Sequence, residues 1–272
     1  MTLLERPVAV IAIKALTPGL GVHVVGARAH DLIDDAVVGR CAEALKWRGV
    51  LLVRGLDLDR QGQQDFNRRL GAVLATGGEQ TSVVTGEDIE ETFRWRIEGL
   101  TDPVPAMATI LTARNTEAVG ARTEFASTYT AFDSLPVHER EGCTGLRVAH
   151  SLEAAQRLAI RRKPIAWDAV AWRATPMRDG PLVWKRRDGR CSLAIGATAD
   201  YIVDMAADES RALLDELLSW ATREDVCYTH EWQPGDIVIW DSSGVLHRFF
   251  PSAVPSPGTQ HRTAIAGNEA WS

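Results

Sequence analysis

The sequence predicts a mainly β domain with flanking helices, and three observations support this. Strand-like runs dominate both ends of the chain, helical runs are inserted between them, and no repeat or Pro/Ser-rich linker divides the 272 residues. Hydrophobic residues make up 45% of the chain and charged residues 24%, which excludes a disordered or collagen-like protein. A chain of this length suits one large domain. We therefore expect residues 1–272 to form a single domain.

The first third of the chain alternates between strands and helices. Short apolar runs bounded by turns are typical of strands, and apolar residues recurring every three or four positions are typical of helices. Asp31 stands near the start of the first helical pattern and is a candidate N-cap. This reasoning predicts strands over 8–13, 22–26 and 49–55, and helices over 30–47 and 59–70.

The remainder begins with a polar, Gly- and Thr-rich segment at 77–91 that has no period. We expect this segment to be a mobile loop that covers a site as a lid. After it, residues 93–113 alternate in the manner of strands around an Asp102–Pro103 turn. Further patterns predict helices over 127–135, 136–141 and 209–222, and strands over 228–231, 237–241 and 261–266.

Composition restricts the compartment and the partners. No apolar run approaches the roughly 18 residues needed to cross a bilayer, and the N-terminus is a poor secretory signal, so we expect a cytoplasmic protein without a membrane partner. A net charge of −6 with scattered basic residues argues against nucleic acid as a partner. The four cysteines lie far apart without a C-x-x-C pair and indicate reduced thiols.

Four stretches carry a family resemblance, in order, along nearly the whole chain. They are GVLLVRGLDLDRQGQQDFNRRLG at 49–71; WRIEG at 95–99 followed by PVPAMATILTAR and by TEFA at 123–126; residues 183–205, which include GRCSLAIGATADYIV; and HEWQPGDIVIWDSSGVLH at 230–247 followed by HRT. Together they resemble the taurine/2,4-D (TauD/TfdA) dioxygenases. The resemblance implies a double-stranded β-helix (jelly roll) and a chemistry that uses Fe(II) and 2-oxoglutarate.

The resemblance also implies a metal site of two histidines and one carboxylate. The family's His-x-Asp pair lies on one strand, where residues i and i+2 share a face. Here the pair aligns with Arg96 and Glu98, and His247 matches the distal histidine. A guanidinium is permanently protonated and has no lone pair for a metal. None of the seven histidines is followed two positions later by Asp or Glu.

The sequence retains only part of the co-substrate site that the resemblance implies. Arg262 lies fifteen residues after His247, where the family's arginine clamps the distal carboxylate of 2-oxoglutarate, and Thr123 matches a threonine that binds the same group. A second family arginine would fall at Gly258, so that contact is missing.

From these substitutions we predict an enzyme that uses neither iron nor another cofactor. It would carry out lyase, isomerase, condensation or hydrolysis chemistry on a small carboxylate- or carbonyl-bearing metabolite. A fixed cation can stabilise developing negative charge, and a carboxylate and an imidazole can transfer protons. The assigned roles are electrostatic stabilisation by Arg96, proton transfer by Glu98 and His247, carboxylate anchoring by Arg262 and Thr123, and substrate contact by Trp95.

Two alternatives stay open. One is a genuine dioxygenase that binds Fe(II) and 2-oxoglutarate, with iron held by Glu98, His247 and an unidentified residue. The other is a non-catalytic ligand-binding relic in which Arg96 and Glu98 form a salt bridge. In each case the partner is a small molecule, and a homo-oligomer is compatible with the sequence. We expect His150, which matches a family position outside the metal site, to be structural.

Overall fold

The computed structural model describes residues 11–56, 58–74, 82–84, 94–113, 120–159, 175–250 and 260–271. Sixteen strands are described in this part of the chain. They are β1 (Ala12–Ala15), β2 (Val22–Val25), β3 (Val50–Val53), β4 (Val73–Leu74), β5 (Ser82–Val84), β6 (Ala108–Ala113), β7 (Arg122–Ser127), β8 (Arg147–His150), β9 (Arg178–Pro181), β10 (Val183–Lys185), β11 (Cys191–Leu193), β12 (Ala199–Ile202), β13 (Tyr228–Glu231), β14 (Ile237–Asp241), β15 (Val245–Phe250) and β16 (Gln260–Ile265).

The helices are inserted between the strands, as predicted. The described α-helices are α1 (Asp35–Arg48), α2 (Arg60–Leu70), α3 (Thr128–Ser134), α4 (Val137–Cys143), α5 (Leu152–Ala159) and α6 (Ala207–Ala221). In the described chain no helix is long and apolar enough to span a bilayer.

The predicted first helix is divided in two, and its predicted N-cap is wrong. A 3-10 helix covers Ala29–Ile33, and Asp31 accepts a hydrogen bond from the Arg28 backbone N–H at its start. The α-helix begins one residue after Asp34, whose carboxylate accepts from the backbone N–H groups of Ala36 and Val37. Satisfying these otherwise unpaired donors makes Asp34 the cap of α1.

The major sheet has eight strands in the order β1-β2-β3-β14-β6-β16-β4, with β5 also paired to β16. Among its described strand pairs, β2 and β3 run parallel to each other, and the other pairs are antiparallel. A minor sheet has the order β13-β7-β15, and β12-β8-β9 and β10-β11 form two smaller ones. Strands distant in the chain thus lie side by side, and the expected jelly roll is confirmed.

The barrel interior is an apolar core contributed by both main sheets. Leu111, Val238 and Trp240 of the major sheet share one cluster with Phe125 and Phe249 of the minor sheet. On the outer face of the major sheet, apolar residues of α1 and α2 pack against strand residues such as Ile110 and Ile239. Burying apolar area on both faces stabilises the strands that carry the site.

Two predictions overlap residues that are not described. The predicted strand at 8–13 is described only from residue 11, and the observed strand is Ala12–Ala15. The predicted lid loop at 77–91 lies outside the described residues except for 82–84, which form β5. The predicted strand pattern over 93–113 yields one isolated bridge at Arg96 and then β6, because residues between them turn around Gly99.

Candidate active site

The candidate site lies where the extended segment 94–98 runs beside β15. Arg96 and His247 form an antiparallel bridge in which each backbone N–H donates to the other residue's carbonyl, at 3.1 and 3.0 Å. This bridge attaches the predicted catalytic segment to the strand that carries the distal histidine. Residues 151 positions apart are thereby brought together.

Alternation along the segment directs its polar side chains to one side. Trp95 and Ile97 are buried in an apolar cluster that also contains Leu246, whereas Arg96 and Glu98 both contact His247. The sequence prediction that positions 96 and 98 share a face is therefore confirmed. Successive side chains of an extended chain point in opposite directions, which explains the pattern.

A glycine loop fixes the other edge of the segment. The Ala197 N–H donates to the Trp95 carbonyl at 2.8 Å. Gly196 has a φ of +117°, and a Cβ there would lie 3.0 Å from the Trp95 oxygen and 3.1 Å from the Arg96 Cα. Because only glycine accepts both the left-handed backbone and this close approach, Gly196 lets the segment sit between the loop and β15.

His247 contacts both predicted partners through one nitrogen. Its Nε2 lies 3.5 Å from Glu98 Oε1 and accepts a long hydrogen bond of 3.4 Å from Arg96 Nε. A guanidinium can only donate, so Nε2 presents its lone pair and the ring proton belongs on Nδ1. That Nδ1 is buried and has no hydrogen-bond partner among the described residues.

The second oxygen of Glu98 is held by two donors. Arg262 Nη2 donates to Glu98 Oε2 at 2.7 Å, and Thr109 Oγ1 donates to the same oxygen at 2.5 Å. The Thr109 hydroxyl is in turn 2.8 Å from the Ser242 hydroxyl. Glu98 therefore uses one oxygen for anchoring and turns the other toward His247.

Opposing effects set the charge of Glu98. Burial by itself raises its pKa, but the Arg262 guanidinium, which donates to Oε2, outweighs burial and holds the pKa well below its ordinary value. The carboxylate is therefore ionised at neutral pH. The same pairing raises the pKa of Arg262, which stays charged.

His247 is neutral for the complementary reason. Its side chain is buried, and burial lowers the pKa because the charged imidazolium is poorly solvated. The nearby cations Arg96 and Arg262 lower the pKa further, and Glu98 opposes them without reversing the direction. A neutral imidazole and an ionised carboxylate are the protonation states in which these groups bind a divalent metal.

The structure places Thr123 in the barrel but away from the described contacts of Glu98. Thr123 is fully buried on β7 opposite Phe249, which is two residues beyond His247 on the same strand face. Its hydroxyl accepts a hydrogen bond of 2.8 Å from Trp232 Nε1. The hydroxyl proton of Thr123 can still be donated to another acceptor.

Trp95 is not brought into the cluster. The residue is 7% exposed and belongs to the apolar cluster behind the segment, and the Arg248 guanidinium lies 4.5 Å above the centroid of its ring. The aromatic side chains beside the site are instead Trp240 and Phe249, whose ring centroids lie 5.0 and 5.5 Å from that of His247. Neither of these two was a predicted site residue.

Sequence reasoning also missed Thr109 and Ser242. The available signal was weak: Thr109 is a polar residue within the fully buried β6, and Ser242 follows the apolar β14. Threonine is common in strands, so the residue type alone does not indicate a site. The contact with Glu98 becomes visible only when the sheet register is known.

Outside the cluster, a surface cavity of about 500 Å³ is lined by Arg157, Asp200, Tyr201 and Arg211 together with apolar residues. Its lining contains none of the predicted site residues, and Asp200 is ion-paired to Arg157. His150 is likewise separate from the cluster. It is fully buried between the Thr198 hydroxyl and the Ala194 carbonyl, as a structural histidine would be.

The described residues supply two of the three side-chain ligands that an iron site of two histidines and one carboxylate requires. Glu98 and His247 supply one carboxylate and one imidazole donor that face each other, and donor atoms about 2 Å from a shared ion are typically about 3 to 3.5 Å apart. Arg96 cannot donate to a metal. Within the described ranges, no group of three or more His, Cys, Asp or Glu side chains is placed to hold a metal ion.

Comparison with known proteins identifies the family. Residues 12–254 match the model of the taurine catabolism dioxygenase TauD, TfdA family. The chain is 30% identical to an (S)-phenoxypropionate/alpha-ketoglutarate-dioxygenase from Delftia acidovorans, over 91% of this chain and 92% of that protein. It is also 30% identical to pentalenolactone F synthase from Streptomyces arenae, over 84% and 86% of the two chains. The protein therefore belongs to the TauD/TfdA family, whose members act on small molecules.

The same fold is found among solved structures. A crystal structure of AAD-2 in complex with Mn(II) and N-oxalylglycine superposes with a TM-score of 0.84 at 24% identity, covering 96% of this chain and 99% of that one. At this identity the match shows the fold, and it confirms the jelly roll described above.

The family corrects the predicted chemistry. We predicted a metal-independent lyase, isomerase, condensing enzyme or hydrolase without a cofactor, and this prediction is wrong. The Delftia relative, which aligns with nearly the whole chain, is an alpha-ketoglutarate (2-oxoglutarate) dioxygenase. The error came from treating Arg96 as the loss of the whole metal site. In the structure Glu98 and His247 still face each other in metal-binding protonation states.

Proposed function

We propose that this protein is an Fe(II)/2-oxoglutarate-dependent dioxygenase that oxidises a small organic acid. The observation that carries the proposal is the approach of Glu98 Oε1 to His247 Nε2, at 3.5 Å, beside the Arg262 guanidinium. One carboxylate, one imidazole and one fixed cation are thus grouped within the jelly roll of a chain similar to a known 2-oxoglutarate dioxygenase.

Glu98 and His247 are the residues that would hold Fe(II). With 2-oxoglutarate and O2, bound Fe(II) supplies the chemistry: one oxygen atom enters a substrate C–H bond, the other enters succinate, and CO2 is released. The chain's own part is to present Glu98 ionised and His247 neutral. The hydrogen bond from Arg96 Nε to His247 Nε2 would have to break before that nitrogen could bind a metal.

Arg262 and Thr123 are proposed to bind the distal carboxylate of 2-oxoglutarate. A guanidinium has five N–H donors, and the described bond to Glu98 engages Nη2, so further donors are suited to a second carboxylate. Thr123 accepts from Trp232 and retains its own proton to donate. Both residues lie on strands that border the same barrel interior.

Arg96 supports an anionic substrate. Its guanidinium lies beside His247 and within 5.9 Å of the Phe249 ring, so the site combines fixed positive charge with aromatic surface. Positive charge in a partly buried site favours binding of a carboxylate. The Delftia relative acts on phenoxypropionate, an aromatic ether that bears a carboxylate, and an acid of this general class is our proposed substrate.

The test is turnover with purified protein, Fe(II), 2-oxoglutarate and a panel of small aryloxy and aliphatic acids. We expect oxygen uptake and succinate release that rise with one class of acid. Glu98→Ala and His247→Ala should abolish both signals, whereas the matched variants Glu124→Ala, on an outer-face ion pair, and His138→Ala, at an exposed histidine, should retain them.

Two outcomes would contradict the proposal. One is the absence of oxygen uptake and succinate with every acid in a preparation that has bound iron. The other is saturable 2-oxoglutarate binding that is unaffected by iron and never leads to succinate, which would favour a non-catalytic binding protein.

A further inference from the structure

Two buried hydroxyl groups lie behind Glu98, and neither belongs to the site as predicted. Thr109 is on β6, an inner strand of the major sheet, and Ser242 directly follows β14, which is paired to β6. Both side chains are fully buried. Their oxygens are 2.8 Å apart, and Thr109 Oγ1 is 2.5 Å from Glu98 Oε2.

The direction of these hydrogen bonds follows from the atoms that they join. Thr109 Oγ1 donates its single proton to Glu98 Oε2. The Thr109 oxygen is then the acceptor in its contact with Ser242, and Ser242 donates. The three groups form a one-way relay from Ser242 through Thr109 to Glu98, in which each bond polarises the next.

The relay determines which carboxylate oxygen faces the site. Oε2 receives Thr109 and Arg262, at 2.5 and 2.7 Å, while Oε1 is left 3.5 Å from His247 Nε2. A glutamate has more side-chain torsions than an aspartate, so it needs additional contacts to hold one orientation. We propose that Thr109, supported by Ser242, is a positioning residue that presents Glu98 Oε1 for metal binding; the inference rests on the proposed function.

A purely structural role for Thr109 makes the opposite prediction. Valine has nearly the shape of threonine and is at least as favourable in a buried strand. If Thr109 only fills space, Thr109→Val should leave metal binding unchanged. If Thr109 positions Glu98, Thr109→Val should weaken metal binding and Thr109→Ser, which keeps the hydroxyl, should restore it.

The experiment measures Mn(II) affinity by calorimetry and by electron paramagnetic resonance for the wild type and four variants. One charge-assisted hydrogen bond corresponds to about a tenfold loss for Thr109→Val, with Thr109→Ser within about threefold of wild type and Ser242→Ala between them. Thr112→Val is the matched control, because Thr112 is buried on the same strand but its hydroxyl bonds to Gln63 on α2. Its affinity should equal that of the wild type.

A metal-free readout separates this inference from the proposed function. Isotope-edited infrared spectroscopy, with Glu98→Gln to identify the band, reports the carboxylate stretch of Glu98. We expect the band to shift in Thr109→Val and to return in Thr109→Ser. If the wild type bound no Mn(II) while the band behaved in this way, the metal assignment would fail and the positioning role would stand. An unchanged band and unchanged affinity in Thr109→Val would overturn the positioning role.

Discussion

Arg262 and Glu98 are 164 positions apart in the chain, yet the guanidinium Nη2 lies 2.7 Å from carboxylate Oε2. Strand β16 carries Arg262 and pairs with β6, which follows the Glu98 segment and contributes Thr109 to the same carboxylate. The cation proposed to bind 2-oxoglutarate is therefore also a partner of a proposed metal ligand. Binding of the co-substrate and of the metal should be coupled through this ion pair.

Replacing Arg262 should weaken 2-oxoglutarate binding. Arg262→Gln removes the charge and the forked donor, so we expect the dissociation constant for 2-oxoglutarate to rise by about 30-fold or more. Anaerobic calorimetry with Mn(II) present measures it. Arg248→Gln is the control, because Arg248 pairs with Glu124. The affinity of this variant for 2-oxoglutarate should match that of the wild type. An unchanged constant in Arg262→Gln would remove Arg262 from the co-substrate site.

Replacing Arg96 by histidine should strengthen metal binding. Arg96 now places a positive charge beside His247 Nε2, and at an effective dielectric constant of about 20 the repulsion of a nearby divalent ion is several kcal/mol. Arg96→His removes that charge and adds an imidazole donor. We expect Fe(II) affinity to rise by about tenfold or more, measured by anaerobic titration. Arg96→Lys keeps the charge and should show no gain; equal affinity for all three proteins would refute the repulsion.

Gly196 should be required for the position of the segment 94–98. An alanine there would meet the Trp95 carbonyl at 3.0 Å as well as adopt a φ of +117°. Gly189 has a φ of +88°, and a Cβ added to it would meet nothing within 4 Å, so Gly189→Ala isolates the backbone cost. We expect Gly196→Ala to lower the free energy of unfolding by about 2 kcal/mol or more, and Gly189→Ala by about 1 kcal/mol. Urea unfolding compares them, and equal losses would contradict the steric argument.

Buried His150 should make the protein less stable in acid. Burial lowers its pKa to about 4, from the ordinary 6.5. Between pH 6.5 and about 4 the unfolded chain binds a proton that the folded protein does not bind. Acid therefore favours unfolding in that window, and the free energy of unfolding should fall by up to about 3 kcal/mol as pH decreases through it.

The variant His150→Gln isolates this contribution. Glutamine can retain one donor and one acceptor for the Ala194 carbonyl and the Thr198 hydroxyl without titrating. Urea unfolding between pH 4 and 7 should show a shallower pH dependence for His150→Gln than for the wild type. His138→Gln, at a histidine whose side chain is 82% exposed, should keep the wild-type slope. Identical slopes for all three proteins would contradict the assignment.

The strand pattern and the shared face of Arg96 and Glu98 could be predicted from the sequence, because both depend on local periodicity. The roles of Asp34 and Asp31 could not be separated in this way, since either residue can cap a helix and only the turn between them decides. The segment 82–84 was predicted to be part of a loop but pairs with β16, a contact across 176 to 180 positions that no local pattern reveals.

The site itself could be predicted only in part. The family motifs indicated Glu98, His247 and Arg262, which the structure groups together. Thr109 and Ser242 depend on the register between β6 and β14, which motif spacing does not contain. The chemistry was mispredicted because one non-ligating residue was given more weight than the two donors that remain.

The most direct test of the central claim is an anaerobic Fe(II) titration with and without 2-oxoglutarate, followed by calorimetry and by the visible charge-transfer band. The wild type and a Glu98→Ala/His247→Ala double variant should be compared. We predict that the wild type binds one Fe(II) per chain, that 2-oxoglutarate tightens this binding and produces the band, and that the double variant shows neither. Absence of iron binding by the wild type, even with 2-oxoglutarate present, would contradict the account.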